Sequence, residues 1–250
     1  MKPNKQIIPQ AMVTSEQTIR FDFGPSIGLT TLRIIQKFCH FIEDNSVPLL
    51  DEVVPSNQTV TVFYQKELVN PYETIDEILT KWSGRTDDSV NVNTRSIEIP
   101  VCYDAEFCED MTRIVEYTGL TREKIIDIHT STRYTVYMIG FLPGFPYLGD
   151  LPQVLHVPRL DKPRLRVAKG TVGIGGTQTG IYPIESPGGW NIIGRTPLDL
   201  YCLERAQSFF IRTGDQLSFR SISLEAFNEM EEKLKHRPEM IQQFVKEELR

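Results

Sequence analysis

Between residues 140 and 197 the chain gathers side chains that could bind and activate a polar substrate. Arg164 and Arg195 each carry a planar guanidinium that can hold two oxygens of a carboxylate or phosphate. Gln178 and Tyr182 donate and accept hydrogen bonds without charge, and either hold an uncharged polar group of a substrate or satisfy barrel backbone groups. Glu185 lies in the loop Tyr182-Pro-Ile-Glu185-Ser-Pro-Gly-Gly189. There it either accepts a proton, its pKa raised by burial, or takes turn N–H groups and braces the loop. Upstream, His129 ends a helical pattern; its ring titrates near neutrality, so it either moves protons or serves as a cap or structural donor. Phe141, Phe145, Tyr147 and Trp190 either wall a pocket or pack the loops that carry them.

The backbone around these residues is heavily prescribed. Eleven of the sixteen glycines and eight of the sixteen prolines fall in this window. Glycine permits positive φ and close approach, and proline fixes φ and removes a donor, so the stretch reads as short strands joined by tight turns. Gly170 to Gly180 is either a turn-rich barrel edge or a set of backbone N–H groups offered to an anion. It lacks the spacing of a P-loop and a following helix. Ser186 lacks the elbow of a serine hydrolase. Arg164 and Arg195 are expected to line one pocket, the alternative being an internal ion pair such as one with Glu185.

The elements that must hold these residues follow from periodicity. Gln17 to Phe23 alternates as a half-buried strand, and Leu29 to Asn45 carries a helical apolar stripe through Ile34, Ile35, Phe38, Phe41 and Ile42. Leu49 to Val54 and Thr59 to Tyr64 read as strands around a Pro55-Ser-Asn57 turn, and Tyr72 to Trp82 as a helix. The polar stretch from Ser83 to Thr94 is the candidate linker. A strand over Arg95–Tyr103, two short helices parted at Gly119, and a strand over Tyr134–Ile139 come next. Short apolar runs from 165 to 220 then suggest a barrel or sandwich. Leu224 to Arg250 suggests two helical pieces, a terminal helix docked on the body or a partner-binding one. The expected fold class is α+β, with a small N-terminal α+β domain (residues 1–90), a barrel or sandwich domain (95–223) and a C-terminal helical extension (224–250).

At 250 residues, 40% hydrophobic and 24% charged, the chain has apolar material for two cores. A net charge of −6 argues against bulk nucleic-acid binding. No run approaches the roughly 18–20 apolar residues that span a bilayer, and the start has no signal-peptide core, so a cytoplasmic chain without a membrane partner is expected. Cys39, Cys102, Cys108 and Cys202 show no zinc spacing and read as reduced thiols. No metal or organic cofactor is expected.

Several strings together resemble the KipI/allophanate-hydrolase-subunit-1 family, whose bacterial members include a subunit of the ATP-dependent 5-oxoprolinase. They are Tyr137-Met-Ile-Gly-Phe-Leu-Pro-Gly-Phe-Pro-Tyr-Leu-Gly149, Gln178-Thr-Gly-Ile-Tyr-Pro183, Glu185-Ser-Pro-Gly-Gly-Trp190 and Gly194-Arg-Thr-Pro197, with Ile99-Pro-Val-Cys-Tyr103 and His129-Thr-Ser131. The resemblance covers roughly residues 17 to 222. It implies a small ferredoxin-like-type α+β domain followed by a cyclophilin-like β-barrel. It also implies ATP-driven opening of 5-oxo-L-proline, with ATP shared among subunits. The implied partners are a related cyclophilin-like barrel subunit and a lactamase-like subunit, and the chain alone would be inactive. In that reading Arg164 and Arg195 neutralise phosphate and carboxylate, Gln178 and Tyr182 hold the ring, and Glu185 or His129 handles a proton. Other members imply inhibition of a sporulation sensor histidine kinase through the aromatic patch, or a place in an allophanate or urea-carboxylase pathway. Two departures stand out. Val167-Ala-Lys-Gly170 replaces the usual Val-Pro-Ala-Gly, and the tail after residue 222 exceeds the common length.

Overall fold

The computed structural model describes residues 7–44, 49–85 and 94–249, and the side chains among them up to residue 246. The chain divides into two units, Met1–Val92 and Asn93–Arg250. The linker expected from Ser83 to Thr94 falls mostly outside the described residues.

The first unit runs β1 (Gln10–Ser15), β2 (Thr18–Asp22), α1 (Leu29–Asp44), β3 (Leu50–Pro55), β4 (Thr59–Tyr64) and α2 (Pro71–Ser83). Its strands form one antiparallel sheet in the order β1-β2-β4-β3. Alternation sends Ile19 and Phe21 of β2, and Val60 and Val62 of β4, to the helix-covered face. Phe38 of α1 centres that core, 4.9 Å from Phe21 and 5.1 Å from Trp82 of α2. Asn70 caps α2 by accepting from the Glu73 N–H, and Pro71 opens it. β1 has no counterpart in the sequence expectation. It is an edge strand whose side chains are mostly exposed or half-buried, so only a faint burial pattern announces it.

The second unit contains β5 (Thr94–Cys102), α3 (Met111–Thr118), α4 (Arg122–Ser131), β6 (Arg133–Ile139), β7 (Pro146–Leu148), β8 (Arg164–Val167), β9 (Thr171–Gly175), β10 (Gln178–Ile181), β11 (Ser186–Gly188), β12 (Asn191–Arg195), β13 (Gln216–Ile222), α5 (Leu224–His236) and β14 (Val245–Leu249). Seven strands follow one another as β12-β9-β10-β7-β6-β13-β5, and β12 returns to β5 through Arg195 and Cys102, which closes a barrel. β5 and β13 run parallel and the other barrel pairs antiparallel. Ile99, Val101, Tyr134, Val136, Ile174 and Leu217 are buried in its core. A separate ribbon pairs β8 with β11. The barrel's entry strand is pinned by a buried pair in which Arg95 donates to both oxygens of Asp215 and to the Phe210 carbonyl.

After Pro238 the tail departs from the expected second helical piece. A 3₁₀ helix spans Pro238–Phe244, and β14 then pairs antiparallel with β5 from Val245–Ile97 to Leu249–Thr94. β12 touches β5 only at its far end, so β14 covers the edge that the barrel closure leaves. Phe227, Leu234, Ile241 and Phe244 bury the tail against the barrel unit. Among the described residues no helix is long and apolar enough to cross a membrane.

Candidate functional site

The outer face of the barrel at β9 and β10 is paved with glycine. Val172 and Ile174 of β9, and Thr179 and Ile181 of β10, turn inward, so Gly173, Gly175, Gln178 and Gly180 turn outward. Register sets Gln178 opposite Gly175 and Gly180 opposite Gly173. A Cβ at Gly175 would stand 2.7 Å from the Trp190 indole, and one at Gly180 would stand 3.0 Å from the Phe145 ring. Glycine is needed here because rings lie directly on the backbone.

Phe145 is the hub of that layer. Tyr147 lies 4.9 Å from it, Tyr182 5.2 Å and Trp190 5.5 Å, the last two edge to face. Val167 and Ile192 complete the cluster. Three of the strings that carry the sequence resemblance, Tyr137–Gly149, Gln178–Pro183 and Glu185–Trp190, thus meet in space. Yet Phe145 and Tyr182 are 1% exposed and Trp190 5% exposed. The expectation that Phe145 and Trp190 wall an open pocket is corrected: they fill the space such a pocket would take, and Tyr182, expected to hold substrate, is buried among them. Burial raises the Tyr182 and Tyr147 hydroxyls above their ordinary range, although Arg159 pulls both back in part, so both remain neutral donors near pH 7. At the rim Phe141 is 64% exposed and holds a backbone φ of 68°, a conformation that non-glycine residues rarely adopt.

Arg164 opens β8, its register partner on β11 being Gly188. Its Nη2 donates to Asp110 Oδ1 at 2.7 Å and its Nε to Glu109 Oε2 at 3.1 Å, while Nη1 is buried without a hydrogen-bond partner. The other Asp110 oxygen accepts from the Ile192 N–H at 2.7 Å, which ties the arginine to β12. Arg159 stands 5.3 Å from the Trp190 ring centre. Arg195 is elsewhere: its Nε donates to the Lys169 carbonyl and its guanidinium lies over Phe107 and Phe227. Among the described residues none partners both Arg164 and Arg195, so the expectation of one shared pocket is corrected.

Two proton-handling expectations also change. Glu185 is exposed and pairs with Arg166 at 2.7 Å, so neither a semi-apolar loop nor Arg164 or Arg195 surrounds it. His129, at the end of α4, is fully buried and stacked 4.4 Å from Phe219. The Thr179 hydroxyl donates to the Gly173 carbonyl, so it accepts from His129 Nε2–H at 3.1 Å. That leaves Nδ1 to accept from the Tyr103 hydroxyl at 2.8 Å. Burial lowers the His129 pKa to about 3. The ring is a neutral strut joining α4, β10 and the end of β5, not a proton carrier.

Sequence reasoning missed Arg159 and Asp110. Arg159 sits in a proline-flanked loop without periodicity, and Asp110 reaches Arg164 across 54 residues. The thiols match their reading: all four cysteines are free, and burial pushes Cys39 and Cys108 up to about 12.

The sequence model of the carboxyltransferase domain, subdomains C and D, matches residues 9–211. The chain is 37% identical to a 5-oxoprolinase subunit of Bacillus subtilis over 80% of this chain and 88% of that protein. It is 34% identical to the protein of the same name from Escherichia coli O157:H7, over 82% of this chain and 92% of that one. The K. lactis urea amidolyase superposes on 98% of this chain, using 18% of its own length, with a TM-score of 0.72 at 17% identity, which is a likeness of fold. The chain belongs to the carboxyltransferase-domain family of subdomains C and D.

Proposed function

We propose that this chain is one subunit of an ATP-dependent 5-oxoprolinase. The reaction breaks the lactam C–N bond of 5-oxo-L-proline; a water oxygen ends on the new carboxylate, the nitrogen takes a proton, and L-glutamate leaves. The observation that carries this reading is the likeness, over most of both chains, to two bacterial proteins named for that activity.

The glycine-paved face supports it. ATP would supply activation of the unreactive lactam carbonyl. What this chain offers an anionic substrate or phosphate is Arg164, held rigid by two carboxylates with one buried N–H group unanswered. Arg159, over the Trp190 ring, adds positive charge to this face, and the half-buried Tyr147 is a neutral donor suited to a lactam. The rings close this face in the isolated chain, so a second subunit has to complete the site. Phe141, held out into solvent, is the contact for it. By family likeness the partners are a related barrel subunit and a lactamase-like subunit. Glu185 can handle a proton only where such a partner covers it.

The test is phosphate release from ATP, dependent on 5-oxoproline, by the tagged chain purified alone and with its host partners. The chain alone is expected to be inert and the complex active. Arg164→Gln should lower kcat/KM of the complex by about a hundredfold. A complex without 5-oxoproline-dependent turnover, or a sensor histidine kinase as the sole partner, would overturn the function. An unchanged rate in Arg164→Gln would remove the site and leave the function standing.

A further inference from the structure

The part of the chain beyond the family match packs on residues inside that match and bounds two recesses with them. The match ends at residue 211, while α5 and the 3₁₀ segment follow it. Packed on the barrel, they leave two recesses of ≈ 160 and ≈ 110 Å³ that share Asp199, Leu234 and Lys235 as walls. The two sequence departures meet here, because Lys169 pairs with Asp199 at 2.6 Å and Lys235 comes from α5.

The charges run in a definite order. Arg195 lines the first recess, and among the described residues no carboxylate pairs with it. Asp199 stands on the shared wall; its Oδ2 takes Lys169, and its Oδ1 is buried with no partner. Arg205 lines the second recess; its Nη2 donates to the Ser208 carbonyl, and its Nε is buried with no partner. A buried acceptor lacking a donor and a buried donor lacking an acceptor, on the walls of joined recesses, call for a group that answers both. A simple anion would leave Asp199 unanswered, and a simple amine would leave both arginines. Glu231 on the first recess adds to the pull on a cation. On the second, Glu204 opposes an anion and Lys235 is already paired with Glu232 at 2.5 Å and Glu231 at 3.8 Å, so Arg205 is the cation left to hold one.

We propose that the joined recesses bind an acidic α-amino acid. Its α-carboxylate lies on Arg195, its ammonium on Asp199 Oδ1, and its side-chain carboxylate on Arg205. The reaction proposed above releases such a molecule, which makes this a place where product is sensed, but the site is read from its own charges and tested without turnover.

The experiment is calorimetric titration of the full chain with L-glutamate, glutarate, which lacks the ammonium, and γ-aminobutyrate, which lacks the α-carboxylate. L-Glutamate should bind at least about tenfold more tightly than either analogue. Asp199→Asn should cost about tenfold for L-glutamate and leave glutarate unchanged, and Arg205→Gln should weaken both. Absent or non-saturable L-glutamate binding, equal affinity for the three ligands, or an unaltered affinity in folded Asp199→Asn would overturn the proposal. The comparison on the unaltered chain decides the matter even where a variant fails to fold. A complex that turns over 5-oxoproline while this chain ignores L-glutamate would sink this inference alone.

Discussion

The glycine-paved face and the α5 recess each set arginines against aromatic rings, and they do it in opposite ways. On the face, Trp190, Tyr182 and Phe145 are buried on bare backbone, and Arg164 is clamped by two carboxylates. In the recess, Arg195 lies over Phe107 and Phe227 with space before it, and two buried polar atoms stand unanswered nearby. Dense motifs mark where the chain is packed to close tolerance. Room for a small ligand lies where one motif, Gly194–Pro197, meets the helix of the tail. On the reading proposed above, a face filled by its own rings, with Arg164 Nη1 alone unanswered, is a platform for another subunit, whereas a recess with orphan atoms of both signs can act within one chain.

The sharpest way to break that contrast is to remove its filler. Trp190→Ala deletes a buried ring and the partner of Arg159, and should destabilise the barrel unit by about 3–5 kcal/mol. Asp199→Asn, at a partly exposed position, should stay within about 1 kcal/mol. Urea unfolding followed by circular dichroism compares the two. Equal costs would mean that the face is no better packed than the recess.

The next test uses pH. The His129 ring has a folded pKa of about 3 against an ordinary 6.5, because burial excludes its charge. At pH 7 both folded and unfolded rings are neutral, and the group adds no pH dependence. Below 6.5 the unfolded chain takes a proton that the folded ring refuses, so stability falls as pH drops, down to about 3. The slope should approach about 1.4 kcal/mol per pH unit. His129→Gln can still accept from Tyr103 and donate to Thr179, and should remove that one-proton slope. The chain has two tryptophans, Trp82 in the first unit and Trp190 in the barrel, so Trp82→Phe leaves a fluorescence reporter confined to the barrel. An unchanged slope in His129→Gln would mean that the ring is protonated in the fold, which would restore it as a proton carrier.

Much of the fold was legible because burial writes a period into the chain. β4 occupies the residues its alternation marks, and α1 follows the stripe through Ile35, Phe38 and Ile42. β1 escaped because its period is faint: Ala11 and Val13 turn to the core but stay only half-buried. The site was legible only in part. Glycine and aromatic strings located the layer on β9 and β10, since bare backbone under a ring demands glycine. They could not say that the rings would fill it. Nor could spacing reveal that Arg164 belongs to Asp110 and Arg195 to Lys169, because those partners are set by tertiary closure across tens of residues. His129 looked titratable because sequence shows a ring and hides its burial.

The smallest effect reverses sign, and it bears most directly on the platform reading. Phe141 is largely solvent-exposed, at a φ of 68° that disfavours any side chain with a Cβ. Its one ring contact among the aromatic cluster is Phe145, edge-on at 5.8 Å. Phe141→Gly relieves the backbone and loses little burial, while the unfolded chain gains freedom. The net change for the isolated chain should lie between zero and about 1 kcal/mol of added stability. A residue kept for folding would show a loss instead. If the ring is held out for a partner subunit, the same variant should bind that subunit at least about tenfold more weakly, as a truncated aromatic anchor does. Stability and assembly would then move in opposite directions, which no purely structural role for Phe141 produces.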